Sequence, residues 1–60
     1  MTGQELRRAR RRLQLTQREL GAQLELHKNT IARMERDELP VVKTTELAVR
    51  FLLVKAGGKS

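Results

Sequence analysis

The sequence contains no cysteine, which excludes disulfide bonds and thiolate metal sites as sources of stability. A single domain of 60 residues buries only about 60% of the surface that its unfolded chain exposes, so its core is marginal without help. Oligomerisation is the remaining way to add stability to so small a domain. We therefore look for a self-association surface.

Long apolar segments are also missing. No apolar run approaches the roughly 18 residues that span a bilayer. The stretch Thr2–Glu5 has no apolar core of the signal-peptide kind. We expect a soluble, cytoplasmic protein with no membrane partner.

The charge is strongly positive and unevenly distributed. The formal net charge is +6; residues 1–36 hold nine Lys/Arg and four Asp/Glu (9 − 4 = +5), and residues 37–60 hold four and three (4 − 3 = +1). Such a basic half indicates a polyanion as partner. Nucleic acid is the first candidate, a membrane surface the second, and a merely solvated basic surface the third.

Four helices can be placed along the chain. Thr2-x-x-Glu5 and Thr16-x-x-Glu19 are capping boxes and predict the starts of helices 1 and 2. Helix 3 is expected from about Lys28 to Arg36, and helix 4 from between Pro40 and Thr44 to about Lys55. The sequence predicts an all-α domain over residues 1–55 and a flexible tail over residues 56–60.

Gly21 lies within helix 2, where a glycine costs about 1 kcal/mol relative to alanine. Its presence predicts that another helix backbone crosses close by. A merely tolerated glycine is the alternative.

One arginine of helix 1 lies on the inward face. Arg10 follows Leu6 by four residues and precedes Leu13 by three, so it shares their apolar stripe. A buried guanidinium requires a carboxylate. Glu35 is the only carboxylate on the inward face of helix 3, and we predict that Arg10 and Glu35 form a buried ion pair.

The residues of an enzyme are absent. His27 is the only histidine, and a metal site would need companions that it lacks. We expect His27 to act as a helix cap. Glu5 and Glu19 are used by caps and Glu35 by Arg10, which leaves no catalytic carboxylate pair. We expect no enzymatic activity, no metal and no cofactor.

Helix 4 is apolar on two faces. The broader face is suited to closing the core, and it consists of Leu47, Ala48, Phe51, Leu52 and Val54. The opposite face consists of Val42, Val49 and Leu53. Because nothing else in so short a chain can cover the second face, we predict a homodimer contact there; simple exposure is the alternative.

The stretch Gln17–Arg36 contains two short helical patterns separated by a break at Glu25–His27. Two helices joined this tightly cross at a steep angle, and the second projects a polar face into solvent. That face holds Lys28, Asn29, Ala32, Arg33 and Arg36. Such side chains suit phosphates and base edges, so the pattern indicates a helix-turn-helix.

The chain resembles the lambda-repressor-like (Cro/CI-type, XRE family) helix-turn-helix domain over about residues 4–53. The residues that carry the resemblance are Leu6, Arg10, Leu13, Leu15, Thr16, Gln17, Glu19, Leu20, Leu24, Leu26, Asn29, Thr30, Ile31, Arg33, Glu35, Leu39 and Pro40. The resemblance implies a compact four-helix domain whose helices 2 and 3 form the helix-turn-helix, and it also implies the Arg10–Glu35 pair. The five-helix form that is common in this family is absent.

The resemblance also implies roles for individual residues. Gln17 is expected to contact a phosphate and brace helix 3, and Thr30 to contact the DNA backbone. Lys28, Asn29 and Arg33 are expected to face bases or neighbouring phosphates. The chain departs from the family at Glu25, where glycine is usual, at His27, where serine or threonine is usual, at Met34, where a larger residue is frequent, and at Asp37, where glycine is frequent.

The expected function is sequence-specific binding of double-stranded DNA by a transcriptional repressor. It is expected to act as a homodimer on a palindromic operator and to be nucleoid-associated when bound. The alternative is a protein-interaction module, such as an antitoxin or antirepressor that binds a partner protein through helix 4. A membrane-active amphipathic peptide is a third class, and the buried ion pair argues against it.

Overall fold

The computed structural model describes residues 1–57, and this range consists of four helices and their connections, without a strand. The helices are α1 Gly3–Arg12, α2 Gln17–Leu24, α3 Lys28–Glu35 and α4 Lys43–Gly57. The predicted all-α, four-helix architecture is confirmed. Helix α4 continues through Ala56 and Gly57, which the sequence assigned to the tail, and residues 58–60 of that tail lie outside the described residues.

Both predicted capping boxes start their helices. The Thr2 hydroxyl accepts from the Glu5 N–H at 3.1 Å, and the Thr2 N–H donates to the Glu5 carboxylate at 2.8 Å. The same reciprocal pair joins Thr16 and Glu19 at 3.0 and 2.8 Å. Each cap stabilises its helix by about 1 kcal/mol, because free backbone donors of the first turn gain partners.

The connections use left-handed backbone at residues other than glycine. Gln14, Glu25 and Asp37 have φ angles of 60°, 59° and 61°. A left-handed conformation costs a residue with a Cβ about 1–2 kcal/mol. Glu25 ends α2 in this conformation, at the position where the family resemblance implies glycine.

Gly21 is required by the turn that follows it. A Cβ at this position would lie 2.4 Å from the carbonyl oxygen of Leu26. The Leu26 N–H in turn donates to the Gly21 carbonyl at 2.7 Å. The close approach was predicted, but its source was not: the turn between α2 and α3 folds against Gly21, where the sequence suggested a crossing helix.

The core draws on every helix. Its buried apolar residues are Leu6, Ala9, Leu20, Ile31, Met34 and Val49. Partly buried side chains from the connections pack against them, among them Leu15, Leu26, Leu39 and Val41. The packing holds α2 and α3 at a fixed angle.

The two apolar faces of α4 are not buried and exposed as predicted. Val49 is fully buried and Leu53 packs against the core, whereas Leu47, Phe51 and Val54 are 54%, 65% and 70% exposed. Val49 is therefore not available for a dimer contact, and of the broad face Leu52 packs against the core while its three largest neighbours are exposed. Helical periodicity defines both faces equally well. The connection through Leu39 and Val41, which itself packs on the core, decides which of them turns inward.

Of the remaining residues of these faces, Ala48 and Leu52 are half-buried. Val42 precedes α4 and is 51% exposed. We call Leu47, Phe51 and Val54 the α4 stripe, since spacings of four and three place them on one side of the helix.

Candidate nucleic-acid interface

The outward face of α3 presents polar and basic groups side by side. Lys28, Asn29 and Arg33 are exposed on the helix, and Arg36 is exposed at its C-terminal cap. They face outward because Ile31, Met34 and Glu35 occupy the buried side of the same helix. Thr30, at the edge of this face, is half-buried. One continuous surface thus carries the side chains predicted to meet DNA from α3.

His27 caps the N-terminus of this helix. Its Nδ1 accepts a hydrogen bond from the Asn29 N–H at 3.0 Å, and its carbonyl accepts from Thr30 and Ile31 at 2.9 and 3.2 Å. The imidazole thus caps the helix at the position where the resemblance implies serine or threonine. The cap orients the first turn of α3, from which Lys28 and Asn29 project.

Glu35 joins three helices beneath this face. Its side chain is 0% exposed. Arg10 of α1 donates from Nε at 2.6 Å and from Nη2 at 3.2 Å, and Gln17 of α2 donates from Nε2 at 3.1 Å. Arg10 also donates from Nη1 to the Leu15 carbonyl at 3.0 Å. The predicted partners of the ion pair therefore meet in fork geometry, and Gln17 adds a second link to α3.

Burial by itself raises the pKa of the Glu35 carboxyl, but this effect is outweighed. Hydrogen bonds from Arg10 and Gln17, together with the positive charge of Arg10, lower the pKa below its ordinary value of 4.5. The carboxylate is therefore ionised at neutral pH and keeps its arginine. This charge pair fixes α3 relative to α1 and α2.

Gln17 and Arg7 both approach the Glu35 carboxylate, which affects the roles expected of them. The Gln17 amide nitrogen is directed inward to Glu35, so this side chain braces α3 from the start of α2. Arg7 Nε lies 3.5 Å from the Glu35 carboxylate, although its side chain is 47% exposed. No partner was predicted for Arg7 from the sequence. Its spacing of three from Arg10 was the available signal for a shared partner.

Glu38 is a further residue that sequence reasoning missed. Arg36 donates to its carboxylate from Nε at 2.9 Å and from Nη2 at 3.3 Å. Arg33 Nε lies 3.5 Å from Oε1 of the same carboxylate, the oxygen that also accepts from Arg36 Nη2. The signal in the sequence was its position just beyond the end of a helix whose last turns carry both arginines. One acidic group therefore lies against the two arginines of the α3 face.

Residues 1–57 contain no group of three His, Cys, Asp or Glu side chains arranged to hold a metal ion. None of the described helices has the length and apolar character needed to cross a bilayer.

The geometry is that of a helix-turn-helix: α2 and α3 are joined by a three-residue connection, and the second helix exposes a basic face. A family model described as "Helix-turn-helix domain" matches residues 2–52. The chain belongs to this helix-turn-helix domain family. No curated protein and no solved structure matches it significantly.

Proposed function

We propose that this chain binds double-stranded DNA in a sequence-specific manner as a transcriptional regulator, with α3 in the major groove. The observation that carries the proposal is the exposed α3 face, where Asn29 and Arg33 stand between Lys28 and Arg36. Such a helix fits the major groove, which is about 12 Å wide. The rigid link of Glu35 to Arg10 and Gln17 supports it, because base reading requires a helix held in one orientation.

The contacts proposed for the α3 face are of two kinds, those to base edges and those to the DNA backbone. Asn29 can bind adenine through its N6 and N7, and Arg33 can bind guanine through O6 and N7. Lys28 and Arg36 supply charge for phosphates, and Thr30 is a further backbone contact. Gln17 can add another through the second hydrogen of its amide, since the first is donated to Glu35. The arginines of α1 add general electrostatic attraction, since phosphate charge alone rewards them.

The test begins with selection of bound sites from random duplex DNA, followed by gel-shift titrations over a range of salt concentrations. A defined sequence and a steep negative salt slope are expected. Absence of any retarded complex at low salt contradicts the proposal.

Substitutions then separate the two kinds of contact. Arg33→Ala is expected to lose about 1–3 kcal/mol of discrimination at one base position. Lys28→Ala is expected to weaken binding to all sequences and to flatten the salt dependence. Lys55→Ala, which removes the same charge from an exposed site on α4, is the matched control and should leave specificity unchanged. If Arg33→Ala and Lys28→Ala lower the affinity equally for every operator sequence, the division into base contacts and phosphate contacts is contradicted.

Two copies are proposed to act on a palindromic operator, and repression is the expected effect because a bound dimer blocks access to a promoter. The α4 stripe supports the dimer: three large apolar side chains on one side of a helix suit a partner. It replaces the stripe of Val42, Val49 and Leu53 suggested by periodicity. Half-sites are expected about 34 Å apart or at a multiple of that distance.

Phe51→Ser tests the dimer, because Phe51 is exposed and its loss leaves the core intact. Light scattering and gel shifts should show weaker association and loss of cooperative binding to the full operator, with binding to a single half-site retained. Unchanged cooperativity contradicts dimerisation through this stripe.

A second candidate function uses the same stripe for another protein, as in an antitoxin or antirepressor. The exposure of Leu47, Phe51 and Val54 favours it as far as it favours the dimer. The DNA titration separates the two. A domain of this kind that binds only protein shows no sequence-selective retardation at any salt concentration.

A further inference from the structure

Glu38 is the one acidic side chain that contacts the arginines of the α3 face among the residues the structure describes. It accepts two hydrogen bonds from Arg36, at 2.9 and 3.3 Å, and lies 3.5 Å from Arg33 Nε. A carboxylate at this position lowers the positive potential where a DNA phosphate would bind. Its placement therefore affects the interaction proposed for this face.

The backbone holds Glu38 there. Its N–H donates to the Arg33 carbonyl at 2.8 Å, and the Asp37 N–H donates to the Met34 carbonyl at 3.1 Å. With Asp37 in the left-handed region at φ 61°, these two bonds form a Schellman motif at the end of α3. The Asp37 carboxylate is used elsewhere, since it accepts from the Gly3 N–H at 2.9 Å. The fold thus presents Glu38, and not Asp37, to the two arginines.

The contacts of Glu38 have little to do with stability. The side chains of Arg33, Arg36 and Glu38 are 55%, 54% and 48% exposed. Ion pairs at such exposure contribute little to folding, because water and salt screen them. The hydrogen bonds and charge of Arg36 lower the pKa of the Glu38 carboxyl below its usual 4.5, so the group is negative at neutral pH.

The two arginines meet Glu38 in different ways. Arg36 offers its Nε and Nη2 edge in a fork, which is the geometry that a phosphate would also take. Arg33 approaches through Nε, which leaves its terminal nitrogens Nη1 and Nη2 able to bind O6 and N7 of guanine together. A phosphate must therefore displace the carboxylate from Arg36, whereas a guanine can be bound by Arg33 with Glu38 in place.

We propose that Glu38 is a specificity-determining residue that weakens phosphate binding by Arg33 and Arg36 at random sites while positioning Arg33 for a guanine edge. This inference rests on the proposed function. Glu38 competes with DNA phosphates for the guanidinium groups and so lowers the affinity for unrelated sequences. At unrelated sites both arginines meet phosphates, whereas at the cognate site Arg33 binds guanine and only Arg36 must be released from Glu38. The ratio of specific to non-specific affinity therefore rises.

Glu38→Gln tests the proposal, because it removes the charge and keeps the size. The measurements are affinities, at about 0.1 M salt, for the selected site and for an unrelated duplex of equal length. Binding to the unrelated duplex is expected to rise about three- to ten-fold, and binding to the selected site less than about two-fold. Thermal unfolding followed by circular dichroism should show an unchanged midpoint. An unchanged ratio of the two affinities overturns the inference.

Glu25→Gln is the matched control, since Glu25 is exposed on the turn between α2 and α3 and forms no ion pair among the described residues. It makes the same change in net charge and should leave the ratio as it is. An equal change in both variants shows an effect of net charge alone and overturns the inference.

A double-mutant cycle tests the route through Arg36. In an Arg36→Gln background, Glu38→Gln should raise the affinity for the unrelated duplex by less than half as much as in the original chain. An undiminished effect overturns the inference. A chain that selects a site but fails these comparisons refutes the role of Glu38 alone, whereas a chain that binds no duplex at low salt refutes the proposed function and this inference together.

Discussion

Glu35 is the residue on which the orientation of α3 depends. Its side chain is 0% exposed and receives hydrogen bonds from Arg10 of α1 and Gln17 of α2. The geometry leaves no buried side-chain polar atom unpaired in the described range. A buried carboxylate is stable only while its hydrogen-bond partners are present. Removing Glu35 or removing its partners should therefore lower the free energy of unfolding.

We expect Glu35→Ala to lower the free energy of unfolding by about 3–5 kcal/mol, because it leaves the Arg10 guanidinium without its carboxylate. Urea unfolding followed by circular dichroism at 222 nm measures it, since the chain has no tryptophan or tyrosine for fluorescence. Arg7→Ala is the control. Arg7 is 47% exposed and lies 3.5 Å from the carboxylate, so its loss should cost less than about 1 kcal/mol. Equal effects of the two variants contradict the central position of Arg10 and Glu35.

Gly21 is the residue where helix propensity and packing oppose each other. Alanine is favoured over glycine by about 1 kcal/mol in a helix interior. A Cβ would, however, lie 2.4 Å from the Leu26 carbonyl oxygen, and overpacking of this kind costs about 1–3 kcal/mol. We expect Gly21→Ala to lower the thermal midpoint. At Gly57 a Cβ meets nothing within 4 Å, so the control Gly57→Ala should leave the thermal midpoint unchanged or raise it slightly. A Gly21→Ala variant with a raised midpoint would contradict the close approach of Leu26 to Gly21.

At the scale of the elements, each of the three short helices is followed within two residues by left-handed backbone at a residue other than glycine. Two of these positions allow a matched comparison. Glu25 ends α2 at φ 59° and is exposed, with no side-chain hydrogen bond or ion pair to another described residue. Asp37 follows α3 at φ 61°, and its carboxylate accepts from the Gly3 N–H that opens α1.

We expect Glu25→Gly to raise the free energy of unfolding by about 0.5–1 kcal/mol, because relief of left-handed strain exceeds the entropy that glycine adds to the unfolded chain. Asp37→Gly gains the same relief but loses a cap of α1, which is worth about 1 kcal/mol. It should therefore be neutral or destabilising. Denaturant midpoints measured side by side decide the matter, and equal stabilisation by both substitutions is the result that contradicts the role of Asp37.

How well the elements could be predicted depended on whether their signals were local. The two capping boxes involve residues three apart, and both helices start where Thr2 and Thr16 place them. The inward position of Arg10 followed from spacing within one helix. The orientation of α4 did not, because two apolar faces satisfy the same periodicity and only packing against the rest of the core decides between them. Glu38 was missed although its partners are two and five residues away, because its contacts depend on the backbone motif that ends α3.

At the scale of the whole molecule, the described chain has two surfaces of different character on one small core. The α3 face is basic, whereas the α4 stripe is apolar. The core that separates them is small, with six buried apolar residues, so the electrostatic link at Glu35 is a large share of what holds the α3 face in place. The stability of the domain should consequently depend on the protonation of acidic groups more than that of a larger protein does.

We expect acid to unfold this domain, beginning near pH 4.5. The pKa of the Glu35 carboxyl is lower in the folded chain than its ordinary value of 4.5, so the folded state binds fewer protons than the unfolded state in this range. The stabilisation is fully present above the unfolded pKa and is lost as the pH falls through the folded pKa. Glu38 acts in the same direction, since Arg36 lowers its pKa, but its exposure makes the effect small. Urea midpoints measured from pH 7 to pH 3 by circular dichroism should fall steeply below about pH 4.5. Glu38→Gln should keep most of this dependence, and a midpoint that stays constant down to pH 3 contradicts the assignment to Glu35.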